Sequence, residues 1–181
     1  MKKILVASVL ILLVCSAVFA EGYNKWTFAA NPYSFQHYSN GTDSVKSKYG
    51  VGGTIGYGYV FDFEEYGIIV GADVLADTYF IEDKTNFTDV GILAKVGYIF
   101  GSVEKKVDFY GLFKYGVDLQ CYEDKYSAVQ TFGHQIGLEC FVSDRWSLTG
   151  AVEVLFATPK KNDVQYFNIR CNPYIGMCYS Y

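Results

Sequence analysis

The sequence of 181 residues has little proline, few charges and no long apolar run after its N-terminus. Only 3 prolines occur, and 19% of the residues are charged. Because a membrane-spanning helix needs about 18 or more apolar residues in a row, a helical membrane protein is excluded. The 15 basic side chains are outnumbered by 19 acidic ones, so the chain has no electrostatic footprint for nucleic acid. We expect no nucleic-acid partner.

The chain is rich in aromatic residues and glycine. It contains 17 Tyr, 14 Phe, 2 Trp and 18 Gly, and 51% of its residues are hydrophobic. This composition is too apolar for a disordered chain and suits β-strands joined by tight turns. The length fits a single domain.

The first 20 residues have the pattern of a secretory signal peptide. Lys2 and Lys3 precede an apolar run over residues 4–14, and small residues lead to Ala20. We therefore predict a signal peptide at 1–20, a mature chain at 21–181, and a bacterial origin. The alternative is a lipoprotein signal, with residues 12–15 as a degenerate lipobox and an acylated Cys15.

Apolar and polar residues alternate with a period of two in eight segments. These segments are residues 26–37, 49–61, 66–79, 90–100, 107–120, 132–142, 146–157 and 167–181. The first segment changes phase at Asn31 and Pro32, where a proline removes a ladder donor and a bulge is expected. Eight amphipathic strands predict an all-β fold, a closed antiparallel up-and-down eight-stranded transmembrane β-barrel.

The connections fall into two alternating sets. Residues 62–65, 101–106 and 142–145 share one rim with both termini, and we expect that rim to face the periplasm. Residues 39–45, 81–87, 122–128 and 158–164 form the opposite rim, which we expect to face outward as loops of about seven residues each.

The charges decide which face of the strands is the interior. The apolar face has no charge in the middle of any segment, whereas seven charges lie on the other face: Asp73, Lys95, Lys114, Asp118, Glu139, Glu153 and Arg170. The interior of a membrane barrel is polar, and its outer face is apolar. We predict that these charges line the lumen, with Glu153 paired to Arg170 and Asp73 paired to Lys95.

Aromatic residues on the apolar face gather at the predicted periplasmic rim. They are Trp26, Tyr59, Phe61, Tyr66, Tyr98, Phe100, Phe109, Trp146, Tyr179 and Tyr181. Such rings prefer the membrane interface, so this set predicts an aromatic girdle.

The last strand ends on an aromatic residue. Gly176, Tyr179 and Tyr181 match the C-terminal insertion signal of bacterial outer-membrane proteins, although Tyr174 replaces the usual polar residue. Together with the leader and the eight strands, this resembles the small outer-membrane barrels of the OmpX, OmpA-transmembrane-domain and OmpW kind over nearly all of residues 23–181. The resemblance implies an outer-membrane location, contact with lipid, a monomer, and insertion machinery that recognises the C-terminal strand.

Three functions are compatible with such a barrel. The first is a non-enzymatic structural or surface-interaction role, in which twelve inward glycines let large side chains fill the lumen. Residues 122–126, which place tyrosines beside charges, are then the candidate surface contact for a partner. The second is a narrow channel for small, apolar solutes of the OmpW kind, because six inward aliphatic residues make parts of the lumen apolar: Ile69, Leu75, Leu93, Ile99, Leu112 and Leu155.

The third function, a lipid A-modifying enzyme, rests on few residues. His37 and Ser39 lie near the outer end of the first strand, and Asp77 and Thr78 near that of the third. No family motif matches them, so we predict no catalytic site. We also expect no cofactor and no metal site, and we expect the cysteines at 121, 140, 171 and 178 to stay unpaired because the barrel separates them.

Overall fold

The computed structural model describes residues 21–39, 44–47, 49–63, 65–80, 87–101, 106–122, 125–158, 160–161, 164–165 and 167–181. The predicted signal peptide, including Cys15, lies outside the described residues. Within the described ranges, no helix is long and apolar enough to span a membrane.

Eight long strands make up most of the described chain. They are β1 (Glu21–Ser39), β2 (Tyr49–Asp62), β3 (Tyr66–Phe80), β4 (Phe87–Gly101), β5 (Val107–Tyr122), β6 (Lys125–Phe141), β7 (Trp146–Ala157) and β8 (Phe167–Ser180). Each pairs antiparallel with its neighbours in the chain, and β1 also pairs with β8, which closes the sheet. The predicted closed eight-stranded barrel is confirmed.

Reciprocal hydrogen bonds between the beginning of β1 and Tyr181 complete the closure. The Asn24 N–H donates to the Tyr181 carbonyl at 3.0 Å, and the Tyr181 N–H donates to the Asn24 carbonyl at the same distance. The start of β1 and the end of β8 therefore lie at one rim, together with the turns that precede β3, β5 and β7. We call it the terminal rim, and the opposite rim the distal rim.

The alternation of the sequence sets the two faces of the wall. In β4, buried and exposed side chains alternate from Phe87 to Phe100. The phase change predicted at Pro32 is confirmed, since the β1–β2 register shifts between Asn31 and Ser34. This bulge returns Ser34 and Gln36 to the interior.

The distal connections differ from the predicted seven-residue loops. β5 and β6 remain paired as far as Tyr122 and Lys125, so the prediction that 122–128 is a loop is wrong. Cross-strand pairing continues here because Leu119 and Ala128 extend the outward face of the hairpin. Short strands also occupy part of two other connections, at Ser44–Lys46 and at Lys160–Lys161 paired with Val164–Gln165.

Inward glycines let the wall curve around bulky side chains. A Cβ atom added to Gly116 would meet the carbonyl oxygen of Ile92 on the neighbouring strand, and one added to Gly71 would meet that of Tyr57. Backbone approaches this close tolerate only glycine, so these positions fix the packing of the strands.

Candidate functional site in the barrel interior

The structure places all seven predicted lumen charges inside the barrel. Asp118, Glu139, Glu153 and Arg170 have no exposed surface, and the other three are almost as buried. Four charged residues outside the predicted set share the interior: Lys25, Asp77, Asp89 and Asp108. The alternation could have identified them, because each is an even number of residues away from an inward residue of its own strand.

A first network lies near the terminal rim. The Lys25 ammonium donates to Glu139, whose other carboxylate oxygen accepts from the Ser147 hydroxyl. The ammonium also lies 6.0 Å from the ring centroid of Tyr110. The Tyr110 hydroxyl is 2.8 Å from that of Thr149. These contacts tie β1 to β5, β6 and β7 across the lumen.

A second network occupies the middle of the barrel. Asp73 accepts from Lys95 and Lys114, each at 2.6 Å, so the predicted Asp73–Lys95 pair is present. Lys114 also lies 2.5 Å from Glu153, which accepts a hydrogen bond from the Tyr174 hydroxyl at the same distance. Two cations and two carboxylates therefore neutralise one another with very little contact with water.

A third network lies towards the distal rim and is centred on Arg170. One guanidinium nitrogen donates to Asp89 at 2.6 Å, and another donates to Asp118. The predicted Glu153–Arg170 pair is wrong. Arg170 is opposite Leu155 in the β7–β8 register, and its side chain crosses the lumen to β4 and β5 while Glu153 binds Lys114.

Asp77 is held by amides. It accepts from the Asn31 side chain at 2.6 Å and from the Asn172 side chain at 3.4 Å. Among the described residues, no basic side chain forms an ion pair with Asp77.

The predicted inward aliphatic residues fill the space between these networks. Ile69, Ile99 and Leu112 pack with Val60, and the second cluster consists of Leu75, Leu93 and Leu155. A cavity of about 30 Å³ remains in the terminal half, lined by Lys25, Asp73, Lys95 and Tyr110 among others. A water molecule needs about 10–15 Å³, so the cavity has room for about two waters.

The outer surface carries the predicted aromatic residues. All ten lie on the outward face, and several contact each other. The ring centroids of Trp146 and Tyr179, for example, are 4.8 Å apart. A second aromatic band near the distal rim was missed, and it comprises Tyr33, Phe35, Tyr49, Phe80, Phe132, Phe156 and Phe167. The same alternation could have identified this band, because its residues fall on the outward face at the distal ends of the strands.

The residues considered for an enzyme do not converge. Asp77 points into the lumen, where Asn31 and Asn172 bind it. His37 is opposite Ile169 in the β1–β8 register and shares the outward face of Phe35. The barrel wall therefore separates the imidazole from the carboxylate.

In the described part of the chain, the cysteines form no disulfide and no side chains form a metal site. The four cysteines at 121, 140, 171 and 178 are free, and Cys178 is buried 3.6 Å from the Thr27 hydroxyl. Within the described residues, no three His, Cys, Asp or Glu side chains are grouped to hold a metal ion.

Comparison with known proteins identifies the fold. No protein-family model and no curated protein sequence matches the chain. Among solved structures, Neisserial surface protein A is similar with a TM-score of 0.62 and 15% identity, over 89% of this chain and 99% of that one. Ail of Yersinia pestis is similar with a TM-score of 0.47 and 13% identity, over 87% and 99%. The chain has the fold of the small eight-stranded outer-membrane β-barrels.

Proposed function

We propose that the chain is an integral protein of the bacterial outer membrane, exported with a cleaved leader, and that its barrel is a non-enzymatic scaffold with a closed lumen. The terminal rim faces the periplasm in this proposal, and the distal rim presents a contact surface to a partner outside the cell. The name of Neisserial surface protein A agrees with such a location.

The outer surface supports membrane insertion. An apolar belt separates the two aromatic bands, and residues such as Ile92 and Ile136 are 64% and 68% exposed within it. A soluble barrel would bury these side chains, whereas lipid-facing positions favour them. The last strand carries Gly176, Tyr179 and Tyr181 as the proposed insertion signal.

The filled interior is the observation that carries the scaffold proposal. Arg170, Tyr79 and Lys114 are among the largest fully buried side chains, and they extend into the lumen at different heights. Ionic networks link nonadjacent strands, and the aliphatic clusters close the gaps between them. A solute could pass only if several of these contacts broke together.

Solute efflux tests the closed lumen. Residues 21–181 would be refolded into liposomes, with anomalous gel migration of the unheated protein as the proof of folding. We expect release of small polar and apolar probes at the rate of empty liposomes. Faster release, with apolar probes favoured, would contradict the closed scaffold and support the narrow channel instead.

Residues 122–126 are the proposed surface contact. Tyr126 is 79% exposed beyond the distal aromatic band, at the end of the β5–β6 hairpin. Alanine replacement of 122–126 should reduce attachment of bacteria that display the protein to surfaces or cells. Alanine replacement of 143–145, at the other rim, is the matched control. Equal attachment by both variants, at equal surface amounts, would contradict the contact proposal.

A further inference from the structure

The pairing between the first and last strands is interrupted within the barrel wall. β1 and β8 are paired up to Ala30 opposite Ile175, and pairing resumes only at Phe35 opposite Cys171. We call the unpaired stretch of both strands between these two pairs the seam. The six interfaces that do not involve β1 have continuous registers over the described residues. The seam is therefore a local feature of the place where the barrel closes.

The sequence prevents regular pairing in the seam. Pro32 on β1 and Pro173 on β8 have no N–H group, so each strand lacks one ladder donor here. On β1, the side-chain oxygens of Asn31 and Ser34 are buried without a hydrogen-bond partner among the described residues. Unmade hydrogen bonds away from water are costly, and a membrane barrel normally satisfies every backbone group of its wall. We therefore expect the seam to be the weakest interface of the wall.

Side chains of β3 span the seam from inside the barrel. Asp77 accepts a hydrogen bond from the Asn31 amide of β1 at 2.6 Å and one from the Asn172 amide of β8 at 3.4 Å. The Tyr79 hydroxyl donates to the side-chain oxygen of Asn172 at 3.0 Å. None of these four residues is more than 1% exposed. One carboxylate therefore joins the two strands at the place where their backbones do not pair.

A glycine lets Asp77 reach β1. Gly52 of β2 is opposite Asn31 on one side and opposite Asp77 on the other. A Cβ atom added to Gly52 would overlap the Asp77 carboxylate. The carboxylate therefore passes over the glycine to the Asn31 amide, and a larger residue at this position would block that contact.

We infer that Asp77 is the latch of a lateral gate between β1 and β8. The gate is shut while the carboxylate binds Asn31 and Asn172. When these hydrogen bonds break, the two strands separate first at the seam. Tyr33, within the seam, belongs to the distal aromatic band, so the distal lumen then opens sideways at the outer edge of the apolar belt.

The opening leads to lipid and does not continue through the barrel. The contacts of Asp73 with Lys95 and Lys114 involve neither β1 nor β8. Asp73 precedes Asp77 by four residues on β3, so these contacts lie on the terminal side of the latch. The gate rests on the proposed membrane location, but solute efflux tests the closed lumen separately from the seam.

Hydrogen exchange of the full barrel tests the latch. The exported chain would be purified in detergent and transferred to D₂O, and deuterium uptake would be read in peptides that cover residues 30–35 and 171–175. The readout is their exchange rate relative to that of the β5–β6 hairpin, because a change in overall stability affects both. Asp77→Ala removes the acceptor of both asparagine amides. We expect the relative rate to rise about 10- to 100-fold, as for the loss of one hydrogen bond to a charged group.

Two further variants accompany Asp77→Ala. Asp108→Ala removes a buried carboxylate of β5 near the terminal rim, and as the matched control it should leave the relative rate unchanged. Asp77→Asn is a milder change for the case that Asp77→Ala does not fold. Its side-chain oxygen still accepts from Asn31, whereas its amide group cannot accept from Asn172, so we expect a smaller rise.

A covalent bond across the seam provides the converse test. Phe35 is directly opposite Cys171, and opposed residues of antiparallel strands have Cα separations that suit a disulfide. Oxidised Phe35→Cys should return the relative rate of Asp77→Ala to that of the parent, and a reducing agent should restore fast exchange. Three results would each overturn the inference: an unchanged relative rate in both Asp77 variants, an equal rise in Asp108→Ala, or fast seam exchange in the oxidised double variant.

Discussion

Arg170 provides the most direct test of the closed interior. Its guanidinium is fully buried, binds Asp89 at 2.6 Å and Asp118, and lies 3.4 Å from the Thr131 hydroxyl. Arg170→Met keeps much of the side-chain length and removes the charge, which leaves both carboxylates without their cation. Breaking a buried pair in this way costs about 3–5 kcal/mol. The unfolding equilibrium should therefore shift by a factor of roughly 10² to 10⁴.

Urea titration in lipid vesicles measures this effect. Trp26 and Trp146 lie on the outer surface, so their fluorescence reports the loss of lipid contact, and gel migration of unheated samples reports the folded fraction. Arg145→Met is the matched control, because Arg145 is exposed in the turn before β7 and its loss should change stability by less than about 0.5 kcal/mol.

A compensated variant separates charge from packing. Adding Asp89→Asn and Asp118→Asn to Arg170→Met should recover part of the lost stability, because no uncompensated charge then remains buried. If Arg170→Met unfolds within about 1 kcal/mol of the parent, the cost expected for a buried ion pair is missing. The distal lumen would then be open to water, and the argument for a closed interior would fail.

Three further predictions concern the wall, the core and assembly. Gly116→Ala should lower the free energy of unfolding by at least about 1–3 kcal/mol, as overpacking does. Gly111→Ala on the outer face should be tolerated, because an added Cβ meets nothing within 4 Å. The folded fraction on gels distinguishes the two variants. Leu155→Ala should cost about 2–5 kcal/mol in urea titrations by opening a cavity beside Leu75 and Leu93. Removal of Tyr181 should reduce insertion in cells more than refolding in vitro, and equal effects in the two assays would contradict recognition of the C-terminal strand by insertion machinery.

The alternation of the sequence predicts the wall because it is a local property. A strand exposes every second residue to the same face, so the outward belt and the seven inward charges follow from parity alone. The same rule missed residues that lie just outside the predicted segments. Asp89 lies just before the predicted segment 90–100, and Lys25 just before 26–37, yet both belong to strands that extend further. Once β4 is known to begin at Phe87, the parity of Leu93 places Asp89 inside.

The ion pairs could be predicted only where the partners lie on adjacent strands. Asp73 and Lys95 are diagonal neighbours on β3 and β4, because Asp73 is opposite Leu93 and Lys95 is opposite Gly71, and they form an ion pair. Arg170 and Glu153 also lie on neighbouring strands, but they do not bind each other. Across the lumen, Arg170 binds Asp89 and Glu153 binds Lys114. The distances between side chains across the lumen depend on the diameter of the closed barrel and on the tilt of its strands. Neither quantity can be deduced from a single hairpin. Two carboxylates lie across the lumen from Arg170, whereas Glu153 is the one carboxylate on the neighbouring strand. Arg170 binds the two across the lumen, so closure of the sheet decides the pairing.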